Sequence, residues 1–380
     1  MNPKSKTSSV NPRIWIFAAL VASTVVSGII FKMSSSLDPD LPTGNSVTKN
    51  PGLPSTPLQK ETAASIESDL HLPGHSKPVG EQTVRDKNNW TLENLNTLKK
   101  PTAEQLALFL QENRGSAEAL LAASQLTGNM ALLRQAAEAF PNNPQVQLEL
   151  ATRGETPEER RQALDAFRKS DPNNAIGDYL SALDNFQQGK TDAALQDLVA
   201  SSSHTSLSDH TDRMLQSTEE AYISAGYSPA EAKSSTILNA NAQQLMKLND
   251  VSKLIVDLQT QYSQQNDTNS AHALREIGIE LAQKLQTQSK FMIGEALGYS
   301  IEKKLLNELD ASTPYGNDGK TVGDRLADIK SRRDEIARTI DGWEIIAATM
   351  SEKDAIAFFD RMKLHGEQEA IRWLKQKHGK

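Results

Sequence analysis

Apolar positions are distributed along this chain in three different ways. From residue 14 to residue 31 they are continuous, and the run IWIFAALVASTVVSGIIF holds no charged side chain. As a helix rising about 1.5 Å per residue, this run covers most of a hydrocarbon core. Over residues 32–88 apolar positions are sparse. Pro39, Pro42, Pro51, Pro54, Pro57, Pro73 and Pro78 alternate there with Gly44, Gly52, Gly74 and Gly80. Proline removes backbone donors and glycine adds freedom, so the pattern predicts a linker without regular elements. Beyond residue 88 apolar residues recur at steps of three and four, beginning with Leu106, Leu110, Leu120, Leu121 and Leu126. That spacing marks helices with one buried face. No run of alternating β-branched residues is long enough to predict a sheet. The expected fold class is therefore all-α, with short helices over 89–200 and longer ones over 201–380.

Within the short-helix region two similar punctuation marks stand 31 residues apart, Phe140-Pro141-Asn142-Asn143-Pro144 and Ser170-Asp171-Pro172-Asn173-Asn174. Proline cannot continue the helix it follows, and asparagine caps the next one. After the second mark, Tyr179, Leu180, Leu183 and Phe186 form an apolar stripe, Gly189 breaks the helix, and Ala193, Ala194 and Leu198 begin a second stripe. Tyr179, Ala182, Gly189, Ala193 and the Asp171-to-Asn174 junction resemble the tetratricopeptide repeat family. Upstream, Ala119, Ala123, Gly128, Leu132, Ala136 and Phe140 keep the size pattern but lack the aromatic of the first helix. The period is also shorter than the family's 34 residues. The resemblance covers residues 115–200. It implies stacked helix pairs with a curved surface that binds peptides or helices, and it implies no chemistry. On that surface it points to Ser116, Gln125, Asp178, Asn185 and Gln188. Asp178, Asn185 and Gln188 share one face at helical steps and are the leading candidates for partner contact.

The C-terminal half reads as a helical hairpin or coiled pair. Leu245, Leu248, Val251, Leu254, Ile255 and Leu258 make one stripe, and Ala271, Leu274, Ile277, Leu281 and Leu285 the next. Phe291, Leu297, Ile301, Leu305 and Leu309 extend it. Gly278, Gly294 and Gly298 predict close helix contact. Ser228-Pro229-Ala230-Glu231 and Ser351 with Asp354 are helix starts, and Leu364-His365-Gly366 is a stop. Large apolar groups then concentrate in the tail. Trp343, Phe358, Phe359 and Trp373 are expected to cover the last apolar face of the array, and they form the second candidate partner site.

Charge refines the picture at the N-terminus. Residues 1–13 carry Lys4, Lys6 and Arg13 and no acid. Basic flanks favour the cytoplasmic side, so residues 14–31 are expected to be an uncleaved transmembrane anchor with the bulk of the chain on the outer or periplasmic side. Secretion after cleavage of a signal peptide is the alternative. The formal charge of −7 over 380 residues and an aromatic content of 5% give no nucleic-acid-binding surface. The chain has no cysteine, which excludes disulfides and cysteine-linked lipid.

Candidate chemistry is thin. No G-x-S-x-G elbow occurs, and His204 and His210 sit in a serine-rich loop without a defining geometry. His71 and His75 are separated by Pro73-Gly74, which prevents a helical metal clamp. The segment Gly316–Thr321 lacks the spacing of a phosphate loop. No catalytic, metal or cofactor residue is expected. The composition and pattern point to a membrane-tethered protein–protein interaction scaffold with a protein or peptide partner. A self-associating envelope protein, with homo-oligomer contacts on the long helices, is the first alternative, and an envelope hydrolase the second. Protease added outside spheroplasts should cut the 32–88 linker while the N-terminus stays protected. Protection of the linker with an exposed N-terminus would invert the topology.

Overall fold

The computed structural model describes residues 100–378 apart from Asn241 and Asn317. The N-terminal segment, membrane helix and linker expected over residues 1–88 lie outside the described residues. No described helix is long and apolar enough to cross a membrane. The described chain is all-α, with one two-residue β-hairpin between β1 (Pro314–Tyr315) and β2 (Lys320–Thr321).

The first seven helices are short: α1 (Ala103–Glu112), α2 (Ala117–Thr127), α3 (Met130–Ala139), α4 (Pro144–Arg153), α5 (Pro157–Ser170), α6 (Ile176–Gln187) and α7 (Thr191–Ser201). Each packs on the next. Their starts follow from sequence. Thr102, Ser116, Asn129, Asn143 and Thr156 each accept a hydrogen bond from a free N–H of the first turn, and Pro144 and Pro157 occupy positions where no N–H is needed. Between α6 and α7 the chain reverses at Gly189, whose φ of +74° suits glycine. Tyr179 of the stripe is fully buried, and so is Ala182 beside it. The small residue that faces back across the pair is Ala194, fully buried, whereas Ala193 is half-buried. Phe186 falls off the stripe and is exposed.

The second asparagine mark does more than turn the chain. Asn174 is buried, accepts from the Ser208 N–H at 3.0 Å, and donates to the Ser208 carbonyl at 2.8 Å. The Ala175 N–H donates to the Ser206 carbonyl at 2.9 Å. The junction is thus stitched to the loop after α7.

Helices beyond residue 200 pack into the earlier ones. Helix α8 (Thr211–Ser224) lies on α2 and α1, and α9 (Pro229–Leu238) lies on α8. Ser228 and Glu231 form the expected reciprocal cap at the start of α9. Three long helices follow, α10 (Gln243–Gln264), α11 (Thr268–Gln288) and α12 (Met292–Leu306), where the stripes suggested a pair. Helix α10 packs against α6 and α4 as well as α11. Leu248, Val251, Ile255 and Leu258 are buried along it.

The remaining helices are α13 (Val322–Ile340), α14 (Trp343–Ala348), α15 (Glu352–His365) and α16 (Glu367–His378). Helix α13 packs on α12, α15 packs on α9, and α16 packs on α15, α13 and α14. The tail thereby returns to the middle of the chain. Two ionic clusters fix these contacts. Lys233 of α9 reaches Glu219 of α8 at 2.7 Å and Asp360 of α15 at 2.5 Å, and Lys363 of α15 also pairs with Glu219. The fully buried Glu302 of α12 receives both arms of Arg325 at 2.7 Å, the Tyr315 hydroxyl at 2.5 Å and the Gln286 amide at 2.6 Å. This one carboxylate ties α11, α12, the hairpin and α13 together, and burial with its donation to Glu302 pushes the Tyr315 hydroxyl up to about 12.

The close helix contact expected from glycine is present between α11 and α12. A Cβ at Gly298 would lie 2.5 Å from the Ala282 carbonyl oxygen and 3.0 Å from the Gln286 nitrogen, both backbone atoms. Alanine gains about 1 kcal/mol over glycine in an open helix, but overpacking costs about 1–3 kcal/mol, and a backbone wall cannot yield as a side chain does. G298A should therefore lower the unfolding free energy by about 1–2 kcal/mol in urea titration, where helix propensity alone gives a gain.

Candidate functional site

The sequence places Asp178, Asn185 and Gln188 on one face of α6, and the fold divides them. Asp178 is 3% exposed and Asn185 7%. Arg168 of α5 bridges Asp178 at 2.7 Å and Asp197 of α7 at 3.1 Å. His204 Nε2 meets the other oxygen of Asp178 at 2.8 Å. Asp197 also accepts from the Ser181 hydroxyl at 2.6 Å and the Asn185 amide at 2.7 Å. Burial pushes the Asp178 carboxyl up from its ordinary value, and the Arg168 and His204 charges work against that shift. Asp178 and Asn185 therefore hold α5, α6 and α7 to each other and to the following loop, with their polar atoms committed inside the chain. Gln188 is exposed at the end of α6, where its amide donates to Asp184 at 2.8 Å. Of the neighbouring candidates, Ser116 caps α2, and the Gln125 amide donates to the Asn239 carbonyl.

The aromatic tail is mostly interior. Trp343, Phe358 and Phe359 are buried, with Trp343 stacked on Phe358 at 4.7 Å and Phe358 edge-on to Phe359 at 5.1 Å. Trp373 is half-buried beneath Arg361, whose guanidinium lies 4.7 Å from the ring centre. These rings pack where α14, α15 and α16 meet, and of the four only Trp373 keeps surface for contact. The two loop histidines are likewise structural ties. His210 lies 3.1 Å from Asp171 and edge-on to the Phe167 ring.

A different polar site lies where α8, α9 and α10 close over α2 and α4. Helix α4 is enclosed on every side, so its polar residues Gln145, Gln147 and Glu149 are 2%, 4% and 6% exposed. Gln145 and Glu149 line a small crevice together with Asp209, Thr218, Thr236 and Gln244. The Gln244 amide of α10 donates to Glu149 Oε1 at 2.6 Å. The second oxygen, Oε2, faces Arg153 Nη1 at 3.7 Å, and neither atom of this buried ion pair has a hydrogen bond. Neither amide atom of Gln145 has a hydrogen-bonding partner within the protein, and neither does the Thr236 hydroxyl. Burial pushes the Glu149 carboxyl up, opposed by Arg153 and Gln244. Asp209 at the rim is exposed. The crevice thus combines carboxylate and amide acceptors with a free amide donor, all held on rigid helices. Sequence reading missed it because the stretch Gln145-Val146-Gln147-Leu148-Glu149 looks like a half-solvated helix. The only available signal was that a short helix inside an array has neighbours on both sides.

No family model, curated protein or solved structure matches this chain at a significant level.

The Arg168 bridge gives a direct test of the α6 assignment. R168M keeps most of the side-chain length and leaves two buried carboxylates without their cation. Unpaired buried charge is costly, and solvent reaching the half-exposed arginine moderates the loss, so a destabilisation of about 2–3 kcal/mol is expected. Chemical denaturation measures it. A change near zero would mean that Asp178 is solvated and available to a partner.

Proposed function

We propose that this chain is a tethered adaptor of a cell envelope. Residues 14–31 span the membrane with the N-terminus in the cytoplasm, residues 32–88 give reach, and a tetratricopeptide-like helical domain holds a protein or peptide partner on the outer or periplasmic side. The observation that carries this role is the basic, acid-free N-terminus joined to an uncharged run of 18 residues and followed by a helical domain. The antiparallel pairing of α6 and α7 about Gly189, with Tyr179, Ala182 and Ala194 at the crossing, supports the repeat-like character of the domain.

The recognition surface is narrower than an open repeat groove. Repeat arrays commonly bind partners along their first helices. In this chain α10 covers α4 and α6, and α8 covers α2. Recognition therefore falls to the rims and crevices left between the two layers, with Gln188 and Trp373 as the candidates that keep accessible surface.

Photo-crosslinkers at Gln188 and Trp373, in the full chain within native membranes, provide the test. A discrete adduct from one of these positions, absent when the label replaces buried Leu133, supports the role. Recovery of the intact chain in the soluble fraction, or adducts indistinguishable from the buried control, would remove it. Deleting residues 1–32 should release the chain from the membrane with its helical circular dichroism unchanged.

A further inference from the structure

We propose that α14, α15 and α16 form a latch that swings as one unit off α8 and α9, and that the side of α9 beneath it docks a partner helix. The inference deepens the adaptor role by naming where the domain takes hold of a partner and what keeps that place covered, and it rests on that role.

Three observations converge. First, the unit has apolar packing of its own. Trp343 of α14 stacks on Phe358 of α15, Phe358 meets Phe359 edge-on, Arg361 of α15 covers Trp373 of α16, and Ile371 and Leu374 of α16 are buried. Second, ion pairs and backbone hydrogen bonds tie the unit to the rest of the chain. On α8 and α9 they are Lys233 with Asp360 at 2.5 Å and Lys363 with Glu219, and Lys363 also donates to the Gln216 amide oxygen at 3.3 Å. At the break between α11 and α12 the Glu367 N–H donates to the Lys290 carbonyl at 2.9 Å, and the Met292 N–H donates to the Glu367 carboxylate at 2.9 Å. On α13 Arg372 meets Glu335 at 2.6 Å, with both side chains 37% exposed. Third, Gly342 joins α13 to α14 with a φ of +70°, and Lys375 donates to the Asp341 carbonyl beside it. Glycine at that joint lets the backbone turn where the unit pivots.

Opening strands no charge. Glu219 keeps Lys233 at 2.7 Å, since both stay on the α8–α9 side. Asp360 and Lys363 stand three apart on α15, near enough on one helix face to pair with each other. Taking charges out of water is costly, so ion pairs of this kind add little net stability to the closed form, and the released groups regain water. The side of α9 that opening uncovers is small. Ala230, Lys233, Ser234 and Ile237 share it at steps of three and four. Ala230 and Ser234 are fully buried, and the Ser234 hydroxyl donates to the Ala230 carbonyl of its own helix, so uncovering them frees no side-chain hydrogen-bonding group. The same features define the ligand. Lys233 and Glu219 offer one cation and one anion beside a surface that a second helix can approach closely. The partner is therefore a helix with an acid and a base three residues apart, the pattern that Asp360 and Lys363 present in the closed form. Helix α15 is the internal occupant that such a partner displaces.

The chain has no cysteine, so a single engineered thiol reports the latch. In the full chain in detergent, S234C meets a disulfide thiol reagent when α15 leaves α9, whereas L133C, at a fully buried position on α3, reports global unfolding. S234C is expected to react at least about tenfold faster than L133C under native conditions. K363E sets a second acid against Glu219 and should speed S234C by a further factor of about ten while leaving L133C unchanged. A peptide of residues 351–366 should slow S234C in the K363E background by about tenfold at saturation, and the same peptide carrying K363E should not. A230C serves as the reporter if S234C misfolds. Equal rates for S234C and L133C, a K363E that speeds both alike, or a peptide that gives no protection would overturn the proposal. Crosslinking in membranes separates this failure from failure of the adaptor role. Partner adducts at Gln188 or Trp373, in a chain whose S234C reacts no faster than L133C, leave the adaptor standing and remove only the latch.

Discussion

The structure depends on one constraint: the short helices α1–α7 cannot bury all their apolar surface against one another. A stack of helix pairs shields the faces between neighbours and leaves an inner face open. In this chain later helices pack on the earlier ones. Helix α10 lies across α4 and α6, and α8 lies on α2, so α4 is surrounded and Val146 and Leu148 lose contact with water. Enclosure also traps whatever polar residues α4 carries. Gln145 and Glu149 are buried because the apolar positions beside them must be, and α10 supplies only one hydrogen bond in return through Gln244. The crevice is a by-product of the closure that makes the fold stable.

Polar contacts set the register of that closure. The Glu302–Arg325 cluster joins four elements, the Lys233–Glu219–Lys363 cluster joins three, and the Arg168–Asp178–Asp197 bridge joins three more. Removing charges from water is costly, so such networks add little net stability over well-packed apolar groups. Their effect is discrimination. Leucine and alanine faces slide over one another at small cost, whereas a carboxylate buried as completely as Glu302 tolerates only the arrangement that brings Arg325, Tyr315 and Gln286 to it. The mild acidic excess of the sequence gives no hint of this, because the groups concerned are neutralised in pairs inside the molecule.

Local signals were legible and global coverage was not. Caps at Asn143, Ser228 and Ser351, the reversal at Gly189, and the close approach at Gly298 were all readable, since each is decided by a few adjacent residues and by backbone geometry. Helical period also tells which residues share a face. It does not tell whether a later segment will cover that face. Asp178 and Asn185 read as solvated because they are polar and stand beside the apolar stripe of their own helix without belonging to it. Their cover comes from Arg168 and Asp197 and from the loop bearing His204. The choice of Ala194 over Ala193 at the crossing is a rotation of one residue, finer than stripe spacing resolves. The third long helix was hidden because α11 and α12 carry continuous stripes separated only by the short break at Ser289 and Lys290.

The return of α15 to α9 carries a consequence for the order in which the molecule is made. Lys363 pairs with Glu219 across 144 positions of sequence, while each of the first seven helices meets its neighbour within a few residues. On a ribosome the early helices can pair as they emerge, but α9 keeps an uncovered side until nearly the whole chain has left the exit tunnel. A nascent chain therefore carries that side open to chaperones from the completion of α9 at Leu238 until α15 ends at His365. Translation that stops before α15 yields a product whose helices are formed but whose middle remains exposed, which marks it for quality control rather than for use.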